Sequence, residues 1–401
     1  MNSKAKYIII ILTLLLFFIF ILPVIQDKFH LLKYSSQTEN SISLYPVVKN
    51  NKHGFIDMKG DIVIKPQFDD ASNFYEGLAN VKIDAKWGYI DKTGKLVIKA
   101  QFDSADAFSE GLGHVRVQDK WGYVNKLGKL VIKPQFKNHW FDEFNEGMLR
   151  VKDKTKWGFM DVTGKMIIKP TFEDVSKYKE GVASVKVNGK WGFIDKLGNI
   201  VIQPQFSLAG DFSEGLAYVK VGKKYAFISK TGQILIKPQF TAVGFFNEGL
   251  AAVKIKGAYG YINKKGKVVI KPKYNFVGYF SEGLAPVRSF LKWGFIDKRG
   301  ELVIPYQFGK FPGKFSEGLI KVGVGAIGYV YVTDPNNPLS GTLQPDYSAL
   351  KYGFMNKAGQ VVIKPRFSDA NNFINGLAKV KIDGKWGYID KTGEYIWNPS
   401  K

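Results

Sequence analysis

The stretch "KWGYIDKTGKLVIKAQF", from Lys86 to Phe102, carries the pattern that decides the fold. Its first part, "WGYID", is rich in the aromatic and β-branched residues that favour strands. The following "DKTG" has an Asp and a Gly where a tight turn needs them, and "KLVIK" returns as a second apolar stretch. These residues therefore predict a β-hairpin.

Near-copies of this stretch fill the chain after residue 43. The signature, an aromatic residue followed by Gly and a second aromatic, has ten copies with only minor departures, and it starts at His53, Trp87, Trp121, Trp157, Trp191, Tyr225, Tyr259, Trp293, Tyr352 and Trp386. Successive starts are 34 residues apart, except for 36 after Trp121 and 59 after Trp293. The longer gap contains one insertion, residues 323–351, in which Pro and Asn residues at 334–338 predict an exposed loop. A fixed period of this length predicts an array of similar units.

Each unit is predicted to be a three-stranded meander. In one copy the strands are "WGFID" from Trp191, "NIVIQP" from Asn199 and "LAYVKV" from Leu216, joined by a turn and a compact connection. Pro204 has no N–H to donate, so its strand is expected to end there or to lie at an edge of the sheet. The repeats lack helical periodicity, and the predicted fold class is all-β.

The repeats could form an open array or a closed ring. Residues 44–401 contain ten whole units, so no strand remains to be exchanged between the two ends. Ten blades also exceed the four to eight that are usual for a propeller. An open β-solenoid or superhelix is therefore the preferred prediction, and a many-bladed β-propeller is the alternative.

The N-terminal residues predict a membrane anchor. Residues 7–25, "YIIIILTLLLFFIFILPVI", form a run of nineteen residues without a charge, preceded by Lys4 and Lys6. This is close to the roughly 20 residues that span a bilayer as a helix, and no small residues follow it to form a cleavage site. We expect a cytoplasmic N-terminus (1–6), an uncleaved transmembrane signal anchor (7–25), a stalk (26–43) and an extracytoplasmic repeat array. A cleaved signal peptide is the alternative.

Composition limits the chemistry of the chain. The sequence has 58 Lys and Arg against 35 Asp and Glu, a net charge of +23, and no Cys. Thiolate metal sites and cysteine nucleophiles are therefore excluded, and the positive charge favours anionic partners. None of the four His occupies a recurring position or a catalytic motif. We expect no enzyme, no metal and no cofactor. The alternative is an enzyme or accessory protein whose site lies in the insertion 323–351.

Three recurring residue types have both structural and functional interpretations. The Trp or Tyr of the signature is interpreted as a core anchor between units, with an exposed sugar-stacking ring as the alternative. The turn residue is Asp, Asn or Ser, which share an oxygen for turn hydrogen bonds but not a charge. Eight Glu-Gly pairs recur in the connections, at Glu76, Glu110, Glu146, Glu180, Glu214, Glu248, Glu282 and Glu317. These Glu are expected to accept backbone N–H bonds or to pair with a Lys of the adjacent unit.

The repeated pattern "KWGYIDKTGKLVIKPQF…F.EGLA.VKV" resembles the WG-repeat family of bacterial proteins over about residues 43–401. The resemblance implies β-strand repeats, often in exported or surface proteins, and it implies no catalytic residues. With the predicted anchor, it favours a non-catalytic binding or scaffolding module at the cell surface. The expected partners are an anionic wall polymer, lipid head groups or another protein, and not nucleic acid.

Lysines recur in two rows. The row in the hairpin turns is the candidate binding track for a polyanion, and it consists of Lys92, Lys126, Lys196, Lys230, Lys264, Lys298, Lys357 and Lys391. A second row lies at the end of the returning strand, at Lys65, Lys99, Lys133, Lys169, Lys237, Lys271 and Lys364. The alternative for both rows is that lysine keeps turns soluble and protects sheet edges from aggregation.

Overall fold

A computed structural model describes residues 43–137, 143–324, 328–334, 337–346 and 349–398. Residues 44–401 form one compact unit. The predicted anchor (7–25) and all of the predicted stalk except Ser43 lie outside the described residues. Among the residues that are described, no helix is long and apolar enough to cross a membrane.

The described chain consists of strands arranged in ten similar units, which confirms the all-β prediction. Each unit has a leading, a middle and an edge strand joined as an antiparallel meander. The leading strands are β1 (Tyr45–Lys49), β5 (Leu78–Ile83), β9 (Leu112–Val117), β12 (Met148–Asp153), β16 (Val182–Val187), β20 (Ala217–Val221), β24 (Leu250–Ile255), β28 (Leu284–Ser289), β31 (Leu319–Val324) and β37 (Ala378–Ile382). The middle strands are β2 (Lys52–Ile56), β6 (Lys86–Asp91), β10 (Lys120–Asn125), β13 (Lys156–Asp161), β17 (Lys190–Asp195), β21 (Lys224–Ile228), β25 (Ala258–Asn263), β29 (Lys292–Asp297), β34 (Lys351–Asn356) and β38 (Lys385–Ile389).

The edge strands complete the meanders, and eight of the ten contain a proline. They are β3 (Ile62–Phe68), β7 (Leu96–Phe102), β11 (Leu130–Phe136), β14 (Met166–Phe172), β18 (Ile200–Phe206), β22 (Ile234–Phe240), β26 (Val268–Tyr274), β30 (Leu302–Phe308), β35 (Val361–Phe367) and β39 (Tyr395–Trp397). Pro204 lies within β18, which pairs only with β17, so the edge position predicted for this proline is confirmed.

Two kinds of element were not expected from the sequence: a short extra strand in seven units and a hairpin in the insertion. Seven units begin with a short extra strand that pairs with the leading strand and lies within the predicted connection. These short strands are β4 (Asp70–Ala71), β8 (Ser104–Ser109), β15 (Asp174–Val175), β19 (Leu208–Ala209), β23 (Ala242–Asn247), β27 (Phe276–Val277) and β36 (Asp369–Ala370). In the insertion, β32 (Gly328–Asp334) and β33 (Asn337–Asp346) pair as a hairpin, so the predicted loop is only the tip of a longer antiparallel ribbon.

The glycine of the signature allows two backbones to approach closely. A Cβ added to Gly192 would lie 2.4 Å from the Ile202 carbonyl oxygen and 2.6 Å from the Pro204 nitrogen. The register of the middle and edge strands shifts at this point, between Trp191 and Phe193. The signature glycine therefore permits a close approach of the two backbones beside the aromatic ring. Ala226 occupies the same position in unit 6, where a buried methyl group is accommodated.

The second aromatic residue of the signature, rather than the first, is the main core anchor. Phe193 is 1% exposed and packs edge-to-face on Phe212 of the next unit, with ring centroids 5.1 Å apart. Trp191 is only half-buried and packs at the border of the same cluster. In eight of the ten units the first ring lies opposite a basic residue of the leading strand, as where the Lys254 ammonium lies 5.2 Å from the Tyr259 ring centroid. The interpretation of the first ring as the core anchor was thus only partly correct.

The core is divided into clusters that lie between neighbouring units. The described residues form ten such hydrophobic clusters, each built from two units. An open array of ten units would have nine interfaces. The tenth cluster joins Tyr45 and Val47 of unit 1 to Leu377 and Tyr388 of unit 10.

Hydrogen bonds also join the first and last units. The Tyr45 hydroxyl donates to the Asn375 carbonyl at 2.6 Å, and the Tyr388 hydroxyl donates to the Pro46 carbonyl at 3.1 Å. The two tyrosine rings lie 5.4 Å apart. The ten units therefore form a closed array that resembles a ten-bladed β-propeller. The preferred prediction of an open solenoid is wrong. Closure needs no exchanged strand, because the two end units bury the same kind of apolar surface as every other pair.

Candidate functional site

The hairpin turns are built by side-chain hydrogen bonds from the Asp, Asn or Ser at their start. In unit 2, the Asp91 carboxylate accepts the backbone N–H groups of Thr93 and Lys95 at 2.9 and 3.1 Å. Asn125 and Asn263 make the same pair of bonds with an amide oxygen. The oxygen is therefore the shared requirement, as predicted, and this turn places the following lysine toward the neighbouring unit.

The recurring Glu occupies a backbone conformation that disfavours it. Glu248 has φ of +51° and the following Gly249 has φ of +84°. They form the tight turn between β23 and β24, where Asn247 pairs with Leu250. Turns with two positive φ values favour Asn-Gly, because a longer side chain at the first position is strained. Glu is nevertheless present at eight such turns. Its side chain must therefore supply an interaction that offsets the strain.

That interaction is a bridge to the next unit. Each Glu carboxylate accepts one or two backbone N–H groups from the corresponding turn of the following unit, so that the turns form a chain. The acceptor and donor residues are Glu76 and Gly111; Glu110 with Glu146 and Gly147; Glu146 with Glu180 and Gly181; Glu180 and Gly215; Glu214 and Gly249; Glu248 and Gly283; Glu282 and Gly318; and Glu317 and Gly376.

The turn lysines of the predicted polyanion track are the second partners of these carboxylates. The pairs, with the distance from lysine nitrogen to glutamate oxygen, are Lys126–Glu76 (3.2 Å), Lys196–Glu146 (3.5 Å), Lys230–Glu180 (3.2 Å), Lys264–Glu214 (3.0 Å), Lys298–Glu248 (3.0 Å), Lys357–Glu282 (3.0 Å) and Lys391–Glu317 (3.0 Å). Seven of the eight predicted site lysines are therefore ion-paired. Lys92, the eighth, has no carboxylate partner among the described residues.

We call this series of inter-unit contacts, in which Glu carboxylates bind backbone N–H groups and turn lysines, the Glu–Lys ladder. It lowers the pKa of carboxyl groups that belong to it. Partial burial alone would raise the pKa of Glu248. The hydrogen bonds from Lys298 and Gly283 and the lysine charge outweigh that effect, so the pKa lies below its ordinary value of 4.5. The pKa of Glu282 and Glu317 is lowered by the corresponding partners. The ladder therefore contributes to stability only while these groups are ionised.

The ladder lacks only the lysine at unit 4, where Val162 follows Asp161, and it lacks both charges where units 10 and 1 meet. Asn375 stands at the Glu position of unit 10, and Met58 stands at the Lys position of unit 1. Both charges of the pair are thus replaced together, and the methyl group of Met58 lies against Gly376. Asn375 is also the residue type that this turn conformation favours. The Glu is therefore retained only where a following unit can use its carboxylate.

The second row of lysines has a different environment. Each residue of this row is exposed on an edge strand, and none of the seven makes a side-chain hydrogen bond or ion pair with the residues that the structure describes. Two exposed aliphatic residues start the same strand in most units, for example Leu96 and Val97 before Lys99. The edge strands thus present free positive charge beside apolar side chains.

Two cavities lie where connections of consecutive units meet. The larger, of about 690 Å³, is lined by residues of units 2 to 5 and contains His114 and Asp106, whose Nδ1 and carboxylate oxygen are 2.9 Å apart. His114 also stacks on Trp121 and Tyr123, at 4.2 and 4.8 Å. The smaller, of about 360 Å³, lies among units 5 to 8. Within the described residues, no group of three His, Asp or Glu is placed to hold a metal ion.

Sequence reasoning missed both cavities. Their lining residues flank the buried aromatic residue of each connection, at positions that differ from unit to unit. The sequence signal that could have indicated these cavities is that the lining positions vary in residue type, whereas the rest of the repeat is nearly constant.

The ten sheets and their inter-unit ladder define a closed β-repeat protein of the propeller type. The chain belongs to the family of WG-containing repeats, which matches residues 54–87, 87–121, 121–156, 157–191, 191–225, 225–257, 259–289, 293–325 and 352–386. The resemblance expected from the sequence is thus confirmed. No curated protein matches the sequence.

The solved structures that match this chain are distant from it in sequence. A eukaryotic initiation factor structure is 13% identical, covers 82% of this chain and 95% of its own, and has a TM-score of 0.48. Kluyveromyces lactis Hsv2 is 10% identical, with 59% and 94% covered and a TM-score of 0.32. A protein of unknown function from Bacteroides caccae is 13% identical, with 46% and 89% covered and a TM-score of 0.22.

Proposed function

We propose that the protein is a non-catalytic binding or scaffolding module, held at the outer face of the cell membrane by residues 7–25, whose repeat array binds an anionic polymer or lipid head groups. The uncharged run of nineteen residues and the net charge of +23 support this proposal. A protein partner is the second kind of ligand. Nucleic acid is not expected on that side of the membrane.

The row of edge-strand lysines is the observation that carries the proposal. A polyanion gains most from cations that are not already neutralised, and Lys65, Lys99 and the equivalent residues are exposed and free of protein partners among the described residues. The turn lysines instead balance the Glu carboxylates of the preceding units. The proposed division is that turn lysines hold the units together, whereas edge-strand lysines attract the ligand.

The two rows provide matched variants for a test. One variant changes Lys65, Lys99, Lys133 and Lys169 to Gln, and the other changes Lys92, Lys126, Lys196 and Lys230 to Gln. Both lower the net charge by the same amount. A basic residue near an anionic surface contributes about 1 kcal/mol at low salt. We therefore expect the edge-strand variant to lose binding by about one hundredfold or more, and the turn variant to lose clearly less.

The measurement uses the full chain in a neutral detergent, with long-chain polyphosphate as the soluble polyanion and nanodiscs of anionic or neutral lipid as the lipid surfaces. Binding should weaken with ionic strength, because charge interactions are screened over about 8 Å at physiological salt. Equal losses in the two variants would mean that only net charge matters. Absence of binding by the wild-type chain at low salt would reject the polyanion proposal and leave a protein partner.

The location and the alternative function are tested separately. Protease added to intact cells should digest the repeat array, and mass spectrometry of the mature chain should find residues 1–25 still present. A mature chain that starts after residue 25 would contradict the anchor. If the protein were instead an enzyme with a site in residues 323–351, deletion of the hairpin β32–β33 would abolish its function while polyphosphate binding remained.

A further inference from the structure

A run of aromatic rings crosses units 6 to 8 and departs from the repeat. Tyr218 on β20 lies 5.1 Å from Phe245 on β23, measured between ring centroids, and Phe245 lies 6.5 Å from Tyr279 in the connection of unit 8. Tyr279 is 49% exposed. Three consecutive units thus contribute one ring each to a single surface.

The repeat pattern does not specify these rings. The position of Tyr218 is taken by Asn80, Ser184, Ala252 or Lys379 in other units. The position shared by Phe245 and Tyr279 is occupied elsewhere by residues as different as Asn73, Ala107, Glu143, Lys177 and Asp211. The neighbouring core positions are constant, since Phe212, Phe246 and Phe280 all occupy the buried place next in sequence. A position that varies within a constant framework is free to serve a ligand.

Two glycines make room for the rings. Gly210 and Gly244 stand where other units have polar residues such as Ser72 and Ser176. A Cβ on Gly210 would lie 2.4 Å from the ring of Tyr218, and one on Gly244 would lie 3.1 Å from the ring of Tyr279. These glycines have ordinary negative or extended backbone angles, so no turn demands them. Glycine thus stands where the ring of Tyr218 or Tyr279 occupies the space that a side chain would fill.

Polar side chains line the cavity beside these rings. The cavity of about 360 Å³ is bounded by Phe245 and Tyr279 together with Lys179, Asp211, Ser213 and Asn247. The side chains of Lys179, Asp211 and Asn247 make no hydrogen bond with the described part of the protein, and the Ser213 hydroxyl donates to the Phe246 carbonyl at 2.7 Å. The cavity therefore offers ring faces, two carbonyl-type acceptors, an ammonium donor and nearly balanced charge.

We propose that this aromatic cavity binds a sugar unit of a glycan. A pyranose ring has an apolar C–H face that stacks on aromatic rings and a rim of hydroxyl groups that bond to carboxylate, amide and ammonium groups. The volume lies in the range of about 300–1,000 Å³ that is usual for small-molecule sites. One Lys and one Asp balance each other, so the cavity does not select for a polyanion and is independent of the edge-strand lysines.

The test compares two exposed aromatic residues of the same unit. Tyr279→Ala removes a wall of the cavity, whereas Phe276→Ala removes a ring of similar exposure, 52%, that lies outside it. The full chain, in a detergent without a sugar head group, is applied to an array of neutral and acidic oligosaccharides. The best-bound oligosaccharide is then titrated by calorimetry against both variants and Asp211→Asn.

We expect at least one oligosaccharide to bind, with the dissociation constant raised at least tenfold by Tyr279→Ala and by Asp211→Asn and unchanged by Phe276→Ala. Because Tyr279 is half exposed, we expect the Tyr279→Ala variant to remain folded. An unchanged melting temperature checks this. Absence of binding to every oligosaccharide, or binding that Tyr279→Ala leaves intact, would overturn the proposal. Salt-sensitive binding that is lost only when edge-strand lysines are removed would also overturn it, because the ligand would then lie on the lysine row.

Discussion

Replacing Phe193 with Ala should destabilise the chain more than replacing Trp191, although Trp is larger and opens the repeat signature. Phe193 is 1% exposed and contacts the next unit through Phe212. Removal of a fully buried Phe costs about 3–5 kcal/mol, including the cavity that remains. Trp191 is only half-buried at the border of this cluster, so we expect its removal to cost about 1–3 kcal/mol.

The assay is hydrogen exchange of the full chain, followed by mass spectrometry of peptides from each unit. The loss of protection should be largest in units 5 and 6, which share the cluster of Phe193. Leu197→Ala is the matched control, because Leu197 is 77% exposed in the adjacent turn and its removal should change protection little. A larger loss from Trp191→Ala than from Phe193→Ala would refute the assignment of the second aromatic residue as the core anchor.

Three further predictions concern the Glu–Lys ladder. A double-mutant cycle of Glu248→Gln and Lys298→Gln, measured by denaturant unfolding, should give a coupling of about 0.2–1 kcal/mol that decreases with salt, and zero coupling at low salt would contradict the pairing seen at 3.0 Å. Because the pKa of Glu248, Glu282 and Glu317 is lowered on folding, their contribution to stability is complete above the ordinary carboxyl pKa and is lost as the pH falls through the lowered values; an unfolding free energy that does not fall below about pH 4.5 would contradict this. Adding the missing pair at the closing interface, with Asn375→Glu and Met58→Lys together, should stabilise the chain by up to about 1 kcal/mol relative to the sum of the single changes, whereas strictly additive effects would place the two positions out of contact.

The repeated features of the fold could be predicted because each is a local requirement. Asp91 builds its turn through bonds to residues two and four positions later, and Gly192 permits a close approach within one hairpin. The sequence also predicted that the recurring Glu either accepts backbone N–H bonds or pairs with a Lys of the adjacent unit. The structure shows both interactions. These interactions span at most one neighbouring unit, so the repeat period itself contains the information.

Closure could not be predicted because it depends on small rotations added over ten units, which no single repeat reveals. The absence of an exchanged strand favoured an open array, yet Tyr45 and Tyr388 join the ends through packing and two hydrogen bonds. One sequence signal was available: the joint replacement of Glu and Lys by Asn375 and Met58 marks these units as a special pair. The two cavities were missed for a similar reason, since each combines residues of four units.

The distance between the first and last units tests the central claim most directly. The chain has no Cys, so spin labels can be placed at Met58 and Ile374, which are 48% and 64% exposed on units 1 and 10. The equivalent pair at an internal interface is Val162 and Ser109. Pulsed dipolar spectroscopy on the full chain should give closely similar short distances for both pairs. In an open array, nine steps of about 10 Å between packed sheets would separate units 1 and 10 by far more. A short distance for Ser109 and Val162 with a long one for Met58 and Ile374 would contradict the closed ring.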